Sequence, residues 1–320
     1  MIVQLKLLPF FSFSMSSKNI YANTIAEYEA KGLLSQEQLR RIAGAGFEGA
    51  VKMLNAYGFF GDSHFVNKDI EGNILTQARI LAAFVKENSS SADLEKLLLN
   101  PFYYSDARAL FKQFQLGLDI GGLIILDNGE VRHAFEEQDY SGLPALLQDA
   151  ISVLAKKNNL TAKDIDLAFL QAMYSDNIER ARKIGAEFIK YCRTEIDFVN
   201  ILTFYRAKKY GFDQKHIVLE LFEGGEISLD PLEGFAPKDK YGDIIALLEA
   251  DDFYGFSKIT EEILHRIISG GKEGFFGYAP FVKYFYAKLS QLNTVKYILI
   301  CLKNNIGFNF DDLRSIANDF

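Results

Sequence analysis

Apolar residues recur at intervals of three and four along most of the chain, the spacing that gathers them on one side of an α-helix. The pattern is densest in EIDFVNILTFYRAKKYG, Glu195–Gly211. Glu195 and Asp197 suit the positive end of a helix dipole. Arg206, Lys208 and Lys209 suit the negative end, and Gly211 supplies a stop that tolerates a left-handed backbone. Between them, Ile196, Phe198, Val199, Ile201, Leu202, Phe204 and Tyr205 cover most of the circumference, which predicts a buried helix. Asp197 and Asn200 are the polar exceptions, on one helix face; once buried, both need hydrogen-bond partners.

The same periodicity predicts helices on either side. Tyr21–Leu34 comes first, and Ser35-x-x-Gln38 is a capping-box signature opening a second helix through Ile42. Ile74–Lys86, Asp93–Leu99, Pro101–Leu116 and Leu143–Leu154 follow. Thr161-x-x-Asp164 caps another, and Ser175-Asp176 is expected to start the next, with Ile178, Ala181, Ile184, Phe188 and Cys192 on one stripe. Asp243–Glu249, Thr260–Ile268, Phe281–Asn304 and a short helix at Asp311–Ala317 complete the set. Glu223–Gly225 reads as a loop. Leu123–Gly129, β-branched and ending in Asp127-Asn128-Gly129, admits one small hairpin. The expected fold class is all-α.

An internal period runs through these elements. FEGAVKMLN, YSGLPALLQ and YGDIIALLE bring Leu54, Leu147 and Leu248 into register. DNGEV and GGEI do the same for Gly129 and Gly225. Asp106, Asn200 and Thr294 stand 94 residues apart, each followed by apolar residues at +1, +4 and +5. Three sets in one order imply a repeat of about 95 residues. The expected division is 15–126, 127–222 and 223–320, with residues 97–117, 191–211 and 285–305 as equivalent helices.

The motifs resemble those of the C subunit of archaeal and bacterial V/A-type ATPases, related to the d subunit of the eukaryotic V-ATPase. EIDFVNILTFYRAKKYG resembles the family's D-x-x-N-(I/L)…R helix, with Asp197, Asn200 and Arg206 in place. PFVKYFYAKLSQLNTVKYI resembles its C-terminal signature, matching at Pro280, Tyr284, Lys288, Leu292 and Val295. Gln291 stands where the family usually has Glu, and Lys296 where it has Arg. If those positions form an ion pair in relatives, the expectation here is a weaker amide–ammonium contact. In the first repeat Tyr103 replaces the expected Asp and Asp106 the expected Asn. The resemblance covers residues 18–317 and is loosest in the first repeat. It implies three pseudo-three-fold related helical subdomains forming a funnel.

Composition narrows the chemistry. The chain has 320 residues, 49% hydrophobic, with a net charge of −7 that argues against nucleic acid as main partner. No apolar run reaches the roughly 18 residues of a membrane span. Residues 1–14 are a short apolar stretch interrupted by Pro9, expected to be an extension outside the fold, with Met15 the natural start. Cys192 and Cys301 read as buried free thiols, and no metal-ligand spacing occurs. Gly44, Gly46 and Gly49 spell GxGxxG, but SQEQLRRIA before them is helical in period, so a helix–turn–helix linker is expected. Gly270-Gly271-Lys272 precedes Glu273 rather than Ser or Thr, so it is no phosphate loop. His64, His133, His216 and His265 are scattered. Glu136-Glu137 and Asp251-Asp252 read as solvated pairs. No catalytic residue, cofactor or metal is expected.

What the resemblance implies is a non-catalytic component of the rotor of a V/A-type ATPase. It would lie peripherally on the cytoplasmic face of the membrane ring, receive the tip of the central shaft (the D and F proteins of the complex), and turn with both. Arg206, Lys208 and Lys209 read either as helix-end charges or as a docking patch. A helical-repeat scaffold is the alternative, although its repeats should be shorter.

Overall fold

The structure is a computed structural model that describes residues 17–61, 65, 69–120, 124–126, 129–213, 217–218, 220–229, 235, 237–269 and 277–310. The extension 1–14 and Met15, His64, His216, Gly270–Glu273 and the closing helix Asp311–Ala317 lie outside the described residues.

Among those residues the chain is all-α, with no strand. Three small helices come first: α1 (Ser17–Ala30), α2 (Gln36–Ala43) and α3 (Phe47–Ala56). Ser35 and Gln38 close the capping box of α2 reciprocally. Gly44–Gly46 is the turn between α2 and α3, as expected for a linker. Then come α4 (Ile70–Asn88), α5 (Ala92–Leu116), α6 (Gly129–Glu136), α7 (Ala145–Leu154), α8 (Ala162–Ile184) and α9 (Ala186–Lys209). The last are α10 (Lys238–Glu249), α11 (Phe253–Ser269) and α12 (Ala279–Lys303).

Four expectations need correction. The central helix begins at Ala186, not Glu195, because Glu195 and Asp197 point inward instead of facing a helix end. Ser175-Asp176 starts nothing: α8 runs through it to Ile184, and the chain breaks at the extended Gly185. The stripe from Ile178 to Cys192 spans that break because both helices face the same core. Pro101 does not divide α5, which is continuous. Leu97, Leu98, Phe102 and Tyr104 bury on both sides of it, enough to offset the lost backbone hydrogen bond. Among the described residues of Leu123–Gly129 no strand forms: the N–H groups of Ile125 and Leu126 bond to the Asp106 carboxylate, while Leu123, Asp127 and Asn128 lie outside those residues. Gly129 opens a helix.

The long helices follow a repeating order. α5, α9 and α12 begin 94 and 93 residues apart and have 25, 24 and 25 residues. Each is preceded by its own antecedent: α4, α8 or α11. Every antecedent packs on the helix that follows it and also on the long helix of another pair: α8 on α5, α11 on α9, and α4 on α12. The six helices therefore form a closed cycle, with the last joined to the first.

Contacts show that these cross-pair packings are antiparallel. Lys112 and Arg108, late in α5, pair with Asp166, early in α8. Lys209, at the end of α9, pairs with Asp251 just before α11. Lys296, late in α12, pairs with Glu71 at the start of α4, while Phe84 and Phe281 stack at the opposite ends. In each of these packings the C-terminal part of the long helix lies beside the start of the antecedent. Leu54 and Leu147 are buried in the main core, and Leu248 in a second one that α9 shares with α10 and α11.

Candidate functional site: polar grips on the long helices

Asp197 is fully buried, and its carboxylate is satisfied by the loop that follows α9 and by the start of α10. Oδ1 accepts from the backbone N–H of Glu226 (2.9 Å) and Ile227 (3.0 Å). Oδ2 accepts from the Tyr241 hydroxyl (3.0 Å) and the Lys240 ammonium (3.4 Å). Lys240 also pairs with Glu226. Burial opposes the Lys240 charge, yet hydrogen bonds to Glu226 and Tyr241 hold its pKa above the usual lysine range. The loop must pass close: a Cβ on Gly225 would stand 2.3 Å from Asp197 Oδ1. One turn further on, Asn200 holds both backbone groups of Phe222. Its Oδ1 accepts from the N–H and its Nδ2 donates to the carbonyl, each at 2.8 Å.

The other long helices use the same device with different residues. In α5, Asp106 accepts from the N–H groups of Ile125 (2.9 Å) and Leu126 (2.6 Å). In α12, Gln291 accepts from the Leu34 N–H (3.1 Å) and donates to the Leu34 carbonyl (2.7 Å). Gln291 is 94 residues from Asp197, and Leu34 is 188 from Phe222, twice that interval. Gln291 and Lys296 therefore do not form the amide–ammonium contact expected from the sequence. Five residues apart, they lie on different helix faces, and Lys296 pairs with Glu71. A second tie crosses the same seam: Asn23 donates to the Gly277 carbonyl (2.8 Å) and accepts from the Phe281 N–H (3.3 Å).

Sequence reasoning missed the network between α5 and α8. Asn100 donates to Asp176 (3.0 Å) and Asn177 (2.9 Å), and Arg180 pairs with Asp176 (3.0 Å). The available signal was the Asp176/Arg180 pair at i,i+4, which a helix start at Ser175 hid.

The remaining candidates lie apart from these grips. Pro280 is in the first turn of α12, and Tyr284 packs edge-on to Phe84 at 4.9 Å. Lys288 lies over the Phe59 ring at 4.6 Å, and burial lowers its pKa to about 8. Arg206 and Lys209 both cover the Phe253 ring, and Lys208 covers Tyr205. Cys192 and Cys301 are buried free thiols. Glu195 is partly open to solvent, yet burial raises its carboxyl to about 7. Tyr191 and Tyr286, whose rings meet at 5.3 Å, lie near it.

Among the described residues no cluster of three or more His, Cys, Asp or Glu is arranged to hold a metal, and no helix is long and apolar enough to cross a membrane. The grips bind the protein's own backbone rather than presenting their polar groups to a reactant. The class defined by this fold and these sites is a helical assembly component, built by cyclic repetition and fastened by buried polar ties. The sequence model of the ATP synthase (C/AC39) subunit family matches residues 22–307, and the chain belongs to that family, which includes the C subunit of V/A-type ATPases. No curated protein matches it.

Proposed function

We propose that the protein is the non-catalytic rotor component that joins the central shaft to the membrane ring of a V/A-type ATPase. Its place is the cytoplasmic face of the membrane, held peripherally. The observation that carries this reading is the closed cycle in which each long helix packs antiparallel on the antecedent of another pair, in a member of the C/AC39 family. Three units, 15–126, 127–222 and 223–320, arranged pseudo-three-fold about one axis as a funnel, give an axial opening for the tip of the D/F shaft. The polar ties supply stiffness: turning the shaft against a loaded ring shears the seams between units. Asp197 and Gln291 oppose that shear with buried hydrogen bonds across the seams, while Asn200 and Asp106 stiffen the units from within.

The test is reconstitution. The purified protein should bind the D/F shaft and the detergent-solubilised ring separately and bridge them in a three-part complex. It should bind no ATP by calorimetry. Failure to bind either joint, or micromolar ATP binding by the isolated chain, overturns the proposal.

A further inference from the structure

One seam of the six-helix cycle is unlike the others. The chain leads on from α5 to α8 and from α9 to α11, so those seams are bridged by the polypeptide itself. α4 and α12 lie near opposite ends of the chain, and their seam has no such bridge. α1 lies across it instead: it packs on α12 and also touches α4.

That helix is held lightly. Of its 14 residues only Ala22, Asn23 and Ala26 are buried. Its larger side chains Ile20, Tyr21 and Tyr28 are exposed, and Ile25 is half-buried. Two alanines allow a close approach but withdraw little apolar area from water. The specific hold is polar. Asn23 donates to the Gly277 carbonyl and accepts from the Phe281 N–H. Burial raises the pKa of Tyr284 and lowers that of Lys288, and in both the second cause is the charge of Glu29, which α1 brings up to α12. Nor is α1 stable by itself, since isolated helices shorter than about 12–15 residues are marginal in water.

The chain after α1 is anchored separately. Lys31 and Gly32 are exposed and Leu33 is half-buried, whereas Leu34 is buried with both backbone groups held by Gln291. In α2, Leu39 and Ile42 are fully buried. α1 can therefore leave without drawing α2 after it. We propose that α1 is a detachable strap: it lifts from α12 and α4 as a unit, hinged at Lys31–Leu33, and its release loosens the α4–α12 seam while the remaining helices stay folded. The seam then keeps the Phe84–Phe281 stack and the Lys296–Glu71 pair but loses the helix that bridges it. The lifted state is a minor one at equilibrium, so it shows in hydrogen exchange and not as a second step in urea. This inference concerns the chain alone and stands whether or not the rotor reading does.

The experiment is native-state hydrogen exchange of the full chain, read by mass spectrometry on peptides from α1, α4, α8 and α12. In the wild type the amides of α1 are expected to exchange at least about a hundredfold faster than those of α8. Asn23→Ala removes both hydrogen bonds of the strap, Glu29→Gln is a milder variant that removes only its charge, and Tyr28→Ala, on the exposed face, is the control. Asn23→Ala should speed exchange in α1 and in the facing parts of α4 and α12 by about tenfold or more and leave α8 unchanged. Glu29→Gln should speed the same peptides by a smaller factor, and Tyr28→Ala should match wild type. Exchange of α1 at the rate of α8 in the wild type shows that it leaves only on global unfolding, and overturns the proposal whether or not Asn23→Ala folds. Faster exchange confined to α1 in both variants reduces it to a fraying end and also overturns the strap. Equal acceleration in every helix, α8 included, overturns it as well.

Discussion

Gln291, midway along α12, holds both backbone groups of Leu34, a residue 257 positions earlier in the chain. The bond joins the last long helix to the turn between α1 and α2, tying the two ends of the cycle. On α9, Asn200 reaches forward only 22 residues, to Phe222. For α12 the equivalent loop lies at the other end of the polypeptide. Folding is thus expected to be one cooperative event between chain ends.

Gln291→Leu keeps the size and helix preference but leaves a buried N–H and a buried carbonyl unpaired. The expected cost is about 2–4 kcal/mol. Urea unfolding should show it as a lower midpoint with one transition retained. A change under about 0.5 kcal/mol would show that water or a neighbouring group replaces the amide.

Gly225→Ala tests how tightly α9 is tied to the loop that follows it. The added methyl would lie 2.3 Å from Asp197 Oδ1, so the loop must move and loosen its N–H bonds from Glu226 and Ile227. A loss of about 2–3 kcal/mol is expected. Asp197→Ala should cost at least as much, since it strands those donors and the Tyr241 hydroxyl. The double variant should cost less than the two single losses combined, because both act on one contact. Full additivity in a thermodynamic cycle contradicts this.

How much of the fold and its ties is legible in the sequence depends on the range of each interaction. The helices, the two capping boxes and the 94-residue period are local or repeated, and hydrophobic spacing displays them. Asp197 and Asn200 stand out as polar residues on an apolar helix, so their burial is readable. Their partners are not, because Phe222, Glu226 and Ile227 contribute only backbone N–H and carbonyl groups, which any sequence has. The start of α9 is hidden because acidic residues near a helix start and acidic residues buried mid-helix look alike in one dimension. The Gln291–Leu34 tie is invisible for a simpler reason: nothing in α12 names a residue at the far end of the chain.

Glu195 makes stability pH-dependent. Burial raises its folded-state pKa to about 7 from 4.5, with Tyr174, Tyr191, Tyr286 and Cys192 facing it. Below the unfolded-state value the carboxyl is neutral in both states and costs nothing. As pH rises toward 7 the unfolded chain releases its proton while the folded chain holds it, so stability falls. Allowing for partial exposure, the loss is on the order of 2 kcal/mol between about pH 4.5 and 7.5. Asp106, raised to about 6, acts in the same direction. The difference between wild type and Glu195→Gln in unfolding midpoint, followed from about pH 5 to 7.5, therefore isolates Glu195. Parallel curves would show that Glu195 titrates normally.

The basic end of α9 gives the last prediction. Lys209 pairs with Asp251, but both side chains are largely exposed, so the pair adds at most about 1 kcal/mol to stability. Reversing both charges with Lys208→Glu and Lys209→Glu should leave helicity intact and the unfolding midpoint nearly unchanged. These ammonium groups lie at the C-terminal end of α9, close in sequence to the exposed Phe212, where an acidic partner surface would meet them. Exposed charges act over a Debye length of about 8 Å at physiological ionic strength, so their contribution to docking should fade with salt while apolar contacts persist. Shaft binding by the double variant should therefore be weak at about 50 mM salt and approach that of wild type at about 500 mM. A wild-type affinity that does not change across the salt series, matched by the double variant throughout, would reduce these lysines to helix-end charges and leave apolar contacts to carry the joint alone.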